Sequence, residues 1–434
     1  MIERDLIKRV VSEALQFTLP KSMPRDIELG SISNKIITIA GIRRSGKTYE
    51  LYNKIKELES KGVKRQNIFY INFEDERLRG IAADELDYII DLYKELSGFD
   101  RNSAICLFFD EIQNINGWDM WVRRLYERGY KIFITGSSSK LLSREISTHL
   151  AGRNLTYLVY PFSFAEFLRS REIRYEGKEL YSKPGEFNSY VSEYMDFGGF
   201  PEVVVAGSQE EKIRILKSYY DAIIYRDIID RYKIKDTDML SVALRYAIGS
   251  YSKHFSASKM HNYFASNRMK ISKKTLNEMA KYAESVFLFS TVYKFSPSFK
   301  KSFQSRRKLY LTDTGFVRVL AGMQDYGRLL EGIVYVELLR RKERAQSSEI
   351  FYTENKKGEV DFVVSEGLKP TELIQVTYDL NRENEEREIL PLLESMDEFG
   401  LKSSTIITMS ENAQRKEGKK TVNIVSFARW ALSV

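Results

Sequence analysis

An α/β fold with a parallel sheet is what this 434-residue chain predicts, on three observations. β-Branched apolar runs alternate with helical stretches through its N-terminal third. The first complete run leads through a glycine-bounded turn into a helix. Later runs end abruptly in carboxylates or hydroxyls. Alternating strands and helices argue for a three-layer core whose functional groups collect at the strand C-termini.

The elements follow in order. Met1 to Leu19 carries charges throughout, with Leu6, Val10, Ala14 and Phe17 on one stripe, and predicts an amphipathic helix. Lys35 to Ala40 predicts a buried strand. The next eight residues, Gly41, Ile42, Arg43, Arg44, Ser45, Gly46, Lys47 and Thr48, fit the phosphate-loop pattern G-x-x-x-x-G-K-[ST] without a mismatch. Backbone N–H groups in such a loop turn toward the phosphates of a nucleotide such as ATP. Lys47 reaches the β- and γ-phosphates and the Thr48 hydroxyl meets Mg²⁺. Thr48 to Ile55 continues as a helix whose N-terminal dipole also favours phosphate.

Asn67 to Phe73 predicts a further strand, running into the acidic turn Glu74-Asp75-Glu76. Ile105 to Phe109 is an apolar strand closed by Asp110 and Glu111. That is the second nucleotide motif, Walker B: Asp110 to hold Mg²⁺ and Glu111 to polarise a water as general base. Lys131 to Gly136 ends in Thr135, followed by serines, and either Thr135 or Ser137 could orient that water. A serine-rich turn is also ordinary for any strand-to-helix loop.

Composition sets the limits. No run of about 18 apolar residues exists, which excludes a membrane-spanning helix. Met1 to Leu19 lacks the apolar core of a signal peptide, and the single cysteine, Cys106, lies in an apolar run as a buried thiol would. A cytoplasmic protein is the expectation. Net charge is +8, but residues 251–310 hold 13 Lys or Arg against 2 Asp or Glu, a local +11, which leaves −3 for the rest. Such clustering marks a surface for an anionic partner.

The succession GIRRSGKT, FYINFEDERL, LFFDEIQNINGWDMWVRRLYERG, FITGSSSKLL, LAGRNLTYLVYPFSFAEFL and GGFPEVV resembles the archaeal and bacterial AAA+-type ATPases whose C-terminal half is a domain of unknown function. The resemblance covers nearly the whole chain. It implies an ATP hydrolase, with Asp110, Glu111 and Gln113 following the Walker B strand and Trp118 packed nearby. Arg153 falls at the family's Gly-Arg position, where an arginine finger or γ-phosphate sensor would stand; a surface or ion-paired arginine is the other reading, and Arg144 the alternative finger. Many relatives assemble into rings, so a homo-oligomer is possible. The resemblance also implies that residues 1–165 form the ATPase core with the N-terminal helix, and residues 166–240 a helical lid. Arg226 could reach the γ-phosphate from that lid, but an intrahelical ion-paired arginine is the favoured reading.

Residues 241–325 predict a winged helix-turn-helix. Phe255 to Phe264 and Ile271 to Glu284 read as its helices, Val286 to Phe295 and Lys308 to Thr312 as its strands, and Ser296 to Arg307 as the wing loop. Ser272 caps the second helix, and Lys273 and Lys274 stand in its first turn against the dipole. Arg268, Lys270, Lys273, Lys274, Lys300, Lys301, Arg306, Arg307 and Lys308 are the expected DNA contacts. They suit phosphates rather than base edges, so no sequence specificity is predicted.

Residues 326–434 predict a last α/β domain, similar to the PD-(D/E)xK nuclease fold suggested for this family. Asp361 matches the first acid, and Glu331 or Glu337 could add a helical carboxylate. Gln375 and Thr377 stand where the Glu and Lys should be, so the nuclease site is incomplete. The leading expectation is an ATPase that couples nucleotide state to DNA binding. A nucleotide-regulated switch acting on a protein partner is the alternative, and an ATP-dependent nuclease the third.

Overall fold

The computed structural model describes residues 4–30, 34–82, 85–138, 150, 152–175, 178–322 and 324–432. Arg144 lies outside the described residues. The chain divides into two compact units: Met1–Val159 with Ser285–Phe287, and Tyr160–Glu284 with Leu288–Val434.

In the first unit, β1 (Ile36–Ala40), β2 (Ile68–Asn72), β3 (Cys106–Asp110), β4 (Lys131–Gly136) and β5 (Asn154–Leu158) form one sheet in the order β2-β3-β4-β1-β5. Every pairing is parallel. Side chains alternate across a strand, and here both faces are apolar. Ile37, Ile39, Ile68, Cys106, Phe108 and Phe133 pack against α2 (Lys47–Ser60) through Leu51, Ile55 and Leu58. Ile36, Phe69, Ile71, Leu107, Phe109 and Ile134 face the core built with α1 (Arg4–Gln16), α3 (Leu86–Ser97) and α4 (Trp118–Glu127). Strands buried on both sides explain the near-continuous apolar runs. Cys106 is a buried thiol, as read from the sequence, and Trp118 is buried in the same core cluster as Phe109 of β3. In α1 the buried stripe is Ile7, Val10 and Val11 rather than one including Phe17, which is 37% exposed beyond the helix end.

The second unit opens with helices Phe164–Ser170, Pro184–Phe197 and Gln209–Ala222, the last running into a π-helical stretch, Ile223–Ile229. The segment expected to be a lid is thus part of this unit. Asp313 fixes the Gly198-Gly199 break: its carboxylate accepts from Gly199 N at 2.8 Å and from Gly315 N at 2.9 Å, capping helix Thr314–Ala321. A Cβ at Gly198 would meet Asp313 Oδ1 at 1.7 Å, so only glycine fits there.

A nine-stranded mixed sheet follows, in the order β13-β14-β12-β11-β10-β9-β7-β8-β6. Its strands are β6 (His254–Phe255), β7 (Phe289–Lys294), β8 (Arg307–Leu311), β9 (Ser348–Glu354), β10 (Glu359–Glu366), β11 (Lys369–Val376), β12 (Ser403–Thr408), β13 (Ala413–Glu417) and β14 (Lys420–Ser426). Helices Ala257–Ser266 and Lys273–Ser285 precede the β7–β8 hairpin, and Ser272 Oγ accepts from Thr275 N at 3.0 Å as the expected cap. The stretch expected as an open wing loop contains a helix, Phe299–Gln304. The hairpin is not separate from the C-terminal segment: Tyr293 and Lys294 of β7 pair in parallel with Phe351 and Tyr352 of β9. Among the described residues, no helix is long and apolar enough to cross a membrane.

Candidate functional site

The phosphate loop connects the C-terminal end of β1 to the N-terminus of α2. Gly46 sits at φ 102° and Arg44 at φ 68°, left-handed conformations that bend the chain back on itself. A Cβ on Gly41 would lie 2.2 Å from the Val159 carbonyl oxygen, so glycine there lets the loop lie against the end of β5. Arg43 points to Glu74 at 2.8 Å.

The strand order places β4 between β1 and β3, and this gathers the polar strand ends. Thr48 Oγ1 donates to Asp110 Oδ2 at 2.8 Å, and Tyr70 OH donates to the same oxygen at 3.0 Å. Thr135 Oγ1 donates to Asp110 Oδ1 and accepts from Glu111 N at 2.9 Å, so one hydroxyl fixes both acids. Lys47 Nζ lies 3.4 Å from Glu111 Oε1 and donates to Ile42 O at 3.2 Å. Gln113 Nε2 reaches Glu111 Oε2 and, at 3.4 Å, Ser137 Oγ. Both sequence candidates therefore stand at the acids: Thr135 near the end of β4, and Ser137 just after the strand, beside Gln113 and Glu111.

Glu111 adopts φ 50°, ψ 43°, a left-handed turn at the strand end. Burial alone would raise its pKa; the Lys47 ammonium foremost, with the Gln113 hydrogen bond, holds it below the ordinary range. Burial and the Glu111 charge push Asp110 up to about 6, against the hydrogen bonds from Thr135, Thr48 and Tyr70. The donor set suits a triphosphate with Mg²⁺. A hydroxyl and a carboxylate side by side are hard oxygen ligands. Ser45 Oγ is buried with no hydrogen-bond partner, a polar atom left for a ligand in the loop.

Two groups here were not expected. Tyr70 and, behind it, Tyr52 (hydroxyls 3.1 Å apart) extend the hydrogen-bonded chain from Asp110. Pairing of β2 with β3 brings Tyr70 in, and α2 carries Tyr52 against it; no motif marks either.

Arg153 is placed elsewhere. It precedes β5, and its carbonyl accepts from Ile36 N, at the end of the strands opposite the loop. Five strand residues separate it from the loop end of the sheet, about 16 Å at a strand's rise. Its guanidinium lies 3.6 Å from Glu127. Within one chain it does not meet the phosphate loop. Arg226 lies in the π-helical stretch of the second unit.

Of the expected DNA contacts, Arg268, Lys270, Lys273, Lys274, Lys300, Lys301 and Arg306 are exposed and Arg307 half-buried. Lys308 is a correction. It is 3% exposed, and its ammonium meets Glu331 at 2.9 Å, Glu359 at 2.7 Å and Asp361 at 2.9 Å. Strand alternation turns it inward from the hairpin, into the acids of the C-terminal strands. Burial opposes its charge, but Asp361 and Glu331 hold it protonated.

Those acids border an open cleft of about 490 Å³. Asp361 Oδ2 accepts from Val376 N at 3.0 Å, and Gln375 bridges Asp361 N to Glu388. Burial pushes Asp361 up to about 7, against Lys308. Glu331 joins this cluster, whereas Glu337 pairs with Arg340. Asp361 and Glu331 are already held by protein donors, and Gln375 and Thr377, which the sequence set against the nuclease pattern, serve as ordinary hydrogen-bonding groups.

Residues 33–168 match the family model of an AAA domain, residues 188–326 a domain of unknown function (DUF8612), and residues 326–429 another (DUF4143). The chain is 36% identical to the uncharacterized protein MJ1544 of Methanocaldococcus jannaschii over all of this chain and 97% of that one. It is 30% identical to an uncharacterized protein of Haemophilus influenzae, over 82% of this chain and 85% of the other. A solved structure, the Walker-type ATPase PABY2304 of Pyrococcus abyssi, is 15% identical with a TM-score of 0.42, covering 74% of this chain and 96% of its own.

Proposed function

This chain belongs to the family of its full-length relative MJ1544, with an AAA domain at its head, and we propose that it is a Mg²⁺-dependent ATP hydrolase whose nucleotide state governs DNA binding by its second unit. One observation carries the hydrolase reading: Lys47, Thr48, Asp110, Glu111 and Thr135 converge at one end of a parallel sheet. Thr48 and Asp110 would hold Mg²⁺, and the loop from Gly41 to Thr48 the triphosphate. Bound Mg²⁺ supplies positive charge that screens the phosphates during transfer. Lys47 adds to that charge at the transferring group, and Glu111, kept ionised, accepts the proton of the attacking water. Thr135 holds Glu111 in place through its backbone. A finger role for Arg153 would require a second copy, because its own loop is out of reach.

The DNA reading rests on the exposed lysines and arginines around the helix pair and the hairpin. Phe299 and Phe303, 49% and 66% exposed beside Lys300 and Lys301, add apolar faces on which bases can stack.

Steady-state ATP turnover tests the first part. Lys47→Ala and Glu111→Gln should each lower it by roughly 10²-fold or more, with Glu111→Gln still binding ATP. Turnover unchanged in Lys47→Ala would sink the hydrolase reading. Duplex binding measured from low to high salt tests the second. The logarithmic slope should shrink by about 0.9 for each of Lys300→Ala and Lys301→Ala. Absence of salt-dependent binding would favour a protein partner for this surface.

A further inference from the structure

A second group of ligand-type side chains lies apart from the phosphate loop, wholly within the second unit. Glu354 ends β9 and Glu359 begins β10, and the two are direct cross-strand partners. Like charges placed opposite each other destabilise a hairpin unless a cation stands between them. Each carboxylate commits one oxygen to a lysine: Glu354 Oε2 to Lys294 at 3.2 Å, and Glu359 Oε1 to Lys308 at 2.7 Å. The other oxygens, Glu354 Oε1 and Glu359 Oε2, converge on His254 Nε2 at 3.7 and 3.4 Å. That nitrogen is buried and makes no hydrogen bond. The three donor atoms lie within 4.8 Å of one another, and no other group of three such donors is this close among the described residues.

The two nitrogen–oxygen separations are longer than a good hydrogen bond and close to the edges of a coordination polyhedron. Zinc bonds of about 2.0–2.2 Å to nitrogen and oxygen give tetrahedral edges of about 3.3–3.6 Å. The lysines would act as the groups that orient ligating carboxylates, as hydrogen-bond donors around metal sites do. One imidazole with two carboxylates suits a divalent transition ion of the zinc class and leaves a fourth position open. The ligands come from β6 and from the β9–β10 hairpin, about a hundred residues downstream, so an ion would tie the helix-turn-helix segment to the C-terminal strands. We propose that His254, Glu354 and Glu359 bind a zinc-class divalent ion as a three-ligand site, at the edge of the cleft that Glu359 also lines. This rests on no assumption about ATP or DNA.

Calorimetric titration of chelator-treated full-length protein with ZnCl₂, without nucleotide, tests it. One equivalent should bind with micromolar or tighter affinity. His254→Ala and Glu359→Gln should each weaken it at least tenfold while leaving ATP turnover intact. His254→Cys, which restores a zinc ligand, should recover most of the affinity. Zinc should also raise the melting temperature of the wild type but not of His254→Ala. No saturable binding, or an affinity that His254→Ala and Glu354→Gln leave unchanged, would overturn the proposal and make the triad a histidine–carboxylate ion pair only.

Discussion

Replacing Lys308 with methionine isolates the largest difference between the expected and observed roles of one residue. Methionine keeps the length and apolar stem and removes only the ammonium. In the wild type that ammonium sits 2.7 to 2.9 Å from three carboxylates, with 3% of the residue exposed. At an effective dielectric near 20, each contact is worth about 6 kcal/mol of attraction. Most of that offsets the cost of drying four charges. What the substitution exposes is the remainder, a buried acid cluster without its cation, and removing one partner of a buried pair costs about 3–5 kcal/mol. The loss should be local. Hydrogen exchange followed by mass spectrometry reports opening free energies segment by segment. Peptides covering β8 and β10 should lose about 3–5 kcal/mol of protection, and those covering β1 and β3 none. A loss below about 1 kcal/mol would refute the argument that Lys308 is the counter-ion of these acids. The same variant should keep the wild-type salt slope of DNA binding, because a buried lysine neutralises no phosphate.

Other outcomes follow from single sites. Glu193 accepts a bidentate pair from Arg171, both contacts 2.6 Å, and a further bond from Lys212. Burial alone would raise its pKa, but those cations hold it at about 2, below the ordinary 4.5. Its stabilisation is therefore complete above pH 4.5 and lost as pH falls through 2. Acid titration of Glu193→Gln should lack that component, about 1–2 kcal/mol after solvent screening. Asp313→Ala leaves the buried N–H groups of Gly199 and Gly315 without acceptors and uncaps a helix, so chemical denaturation should show a loss of about 2–4 kcal/mol. Burial pushes Asp313 up to about 7, so the sign is reversed from Glu193: wild-type stability should decline as pH rises from about 4 to 7, and Asp313→Asn should flatten that decline. Thr135→Val removes the hydroxyl shared by Asp110 and the Glu111 backbone. ATP turnover should fall roughly 10-fold or more with ATP affinity nearly kept; unaltered turnover would show that Glu111 needs no such support.

The first unit was legible because its information is local. A loop such as Gly41 to Thr48 is contiguous, and strands buried on both faces announce themselves as apolar runs. Asp110, Glu111 and Thr135 could be named from their places at strand ends, since parallel strands deliver their C-termini to one side. Tyr70 could not, because its contact with Asp110 depends on which strand lies beside β3. The reach of Arg153 was equally hidden: a motif gives its place in the chain, while the direction of β5 puts it at the opposite end of the strands from the loop.

In the second unit the sequence determined the helix pair, the hairpin strands and the local excess of positive charge. It also showed that Gln375 and Thr377 break the nuclease pattern. Only the tertiary structure decided what those charges face. Pairing of β7 with β9 joins the hairpin to the C-terminal strands in one sheet. It turns Lys308 from a DNA contact into a buried counter-ion, and it brings His254 to Glu354 and Glu359. The physical reason is that a residue's charge is written in the chain, but its electrostatic partner is set by strand register, which links residues far apart in sequence.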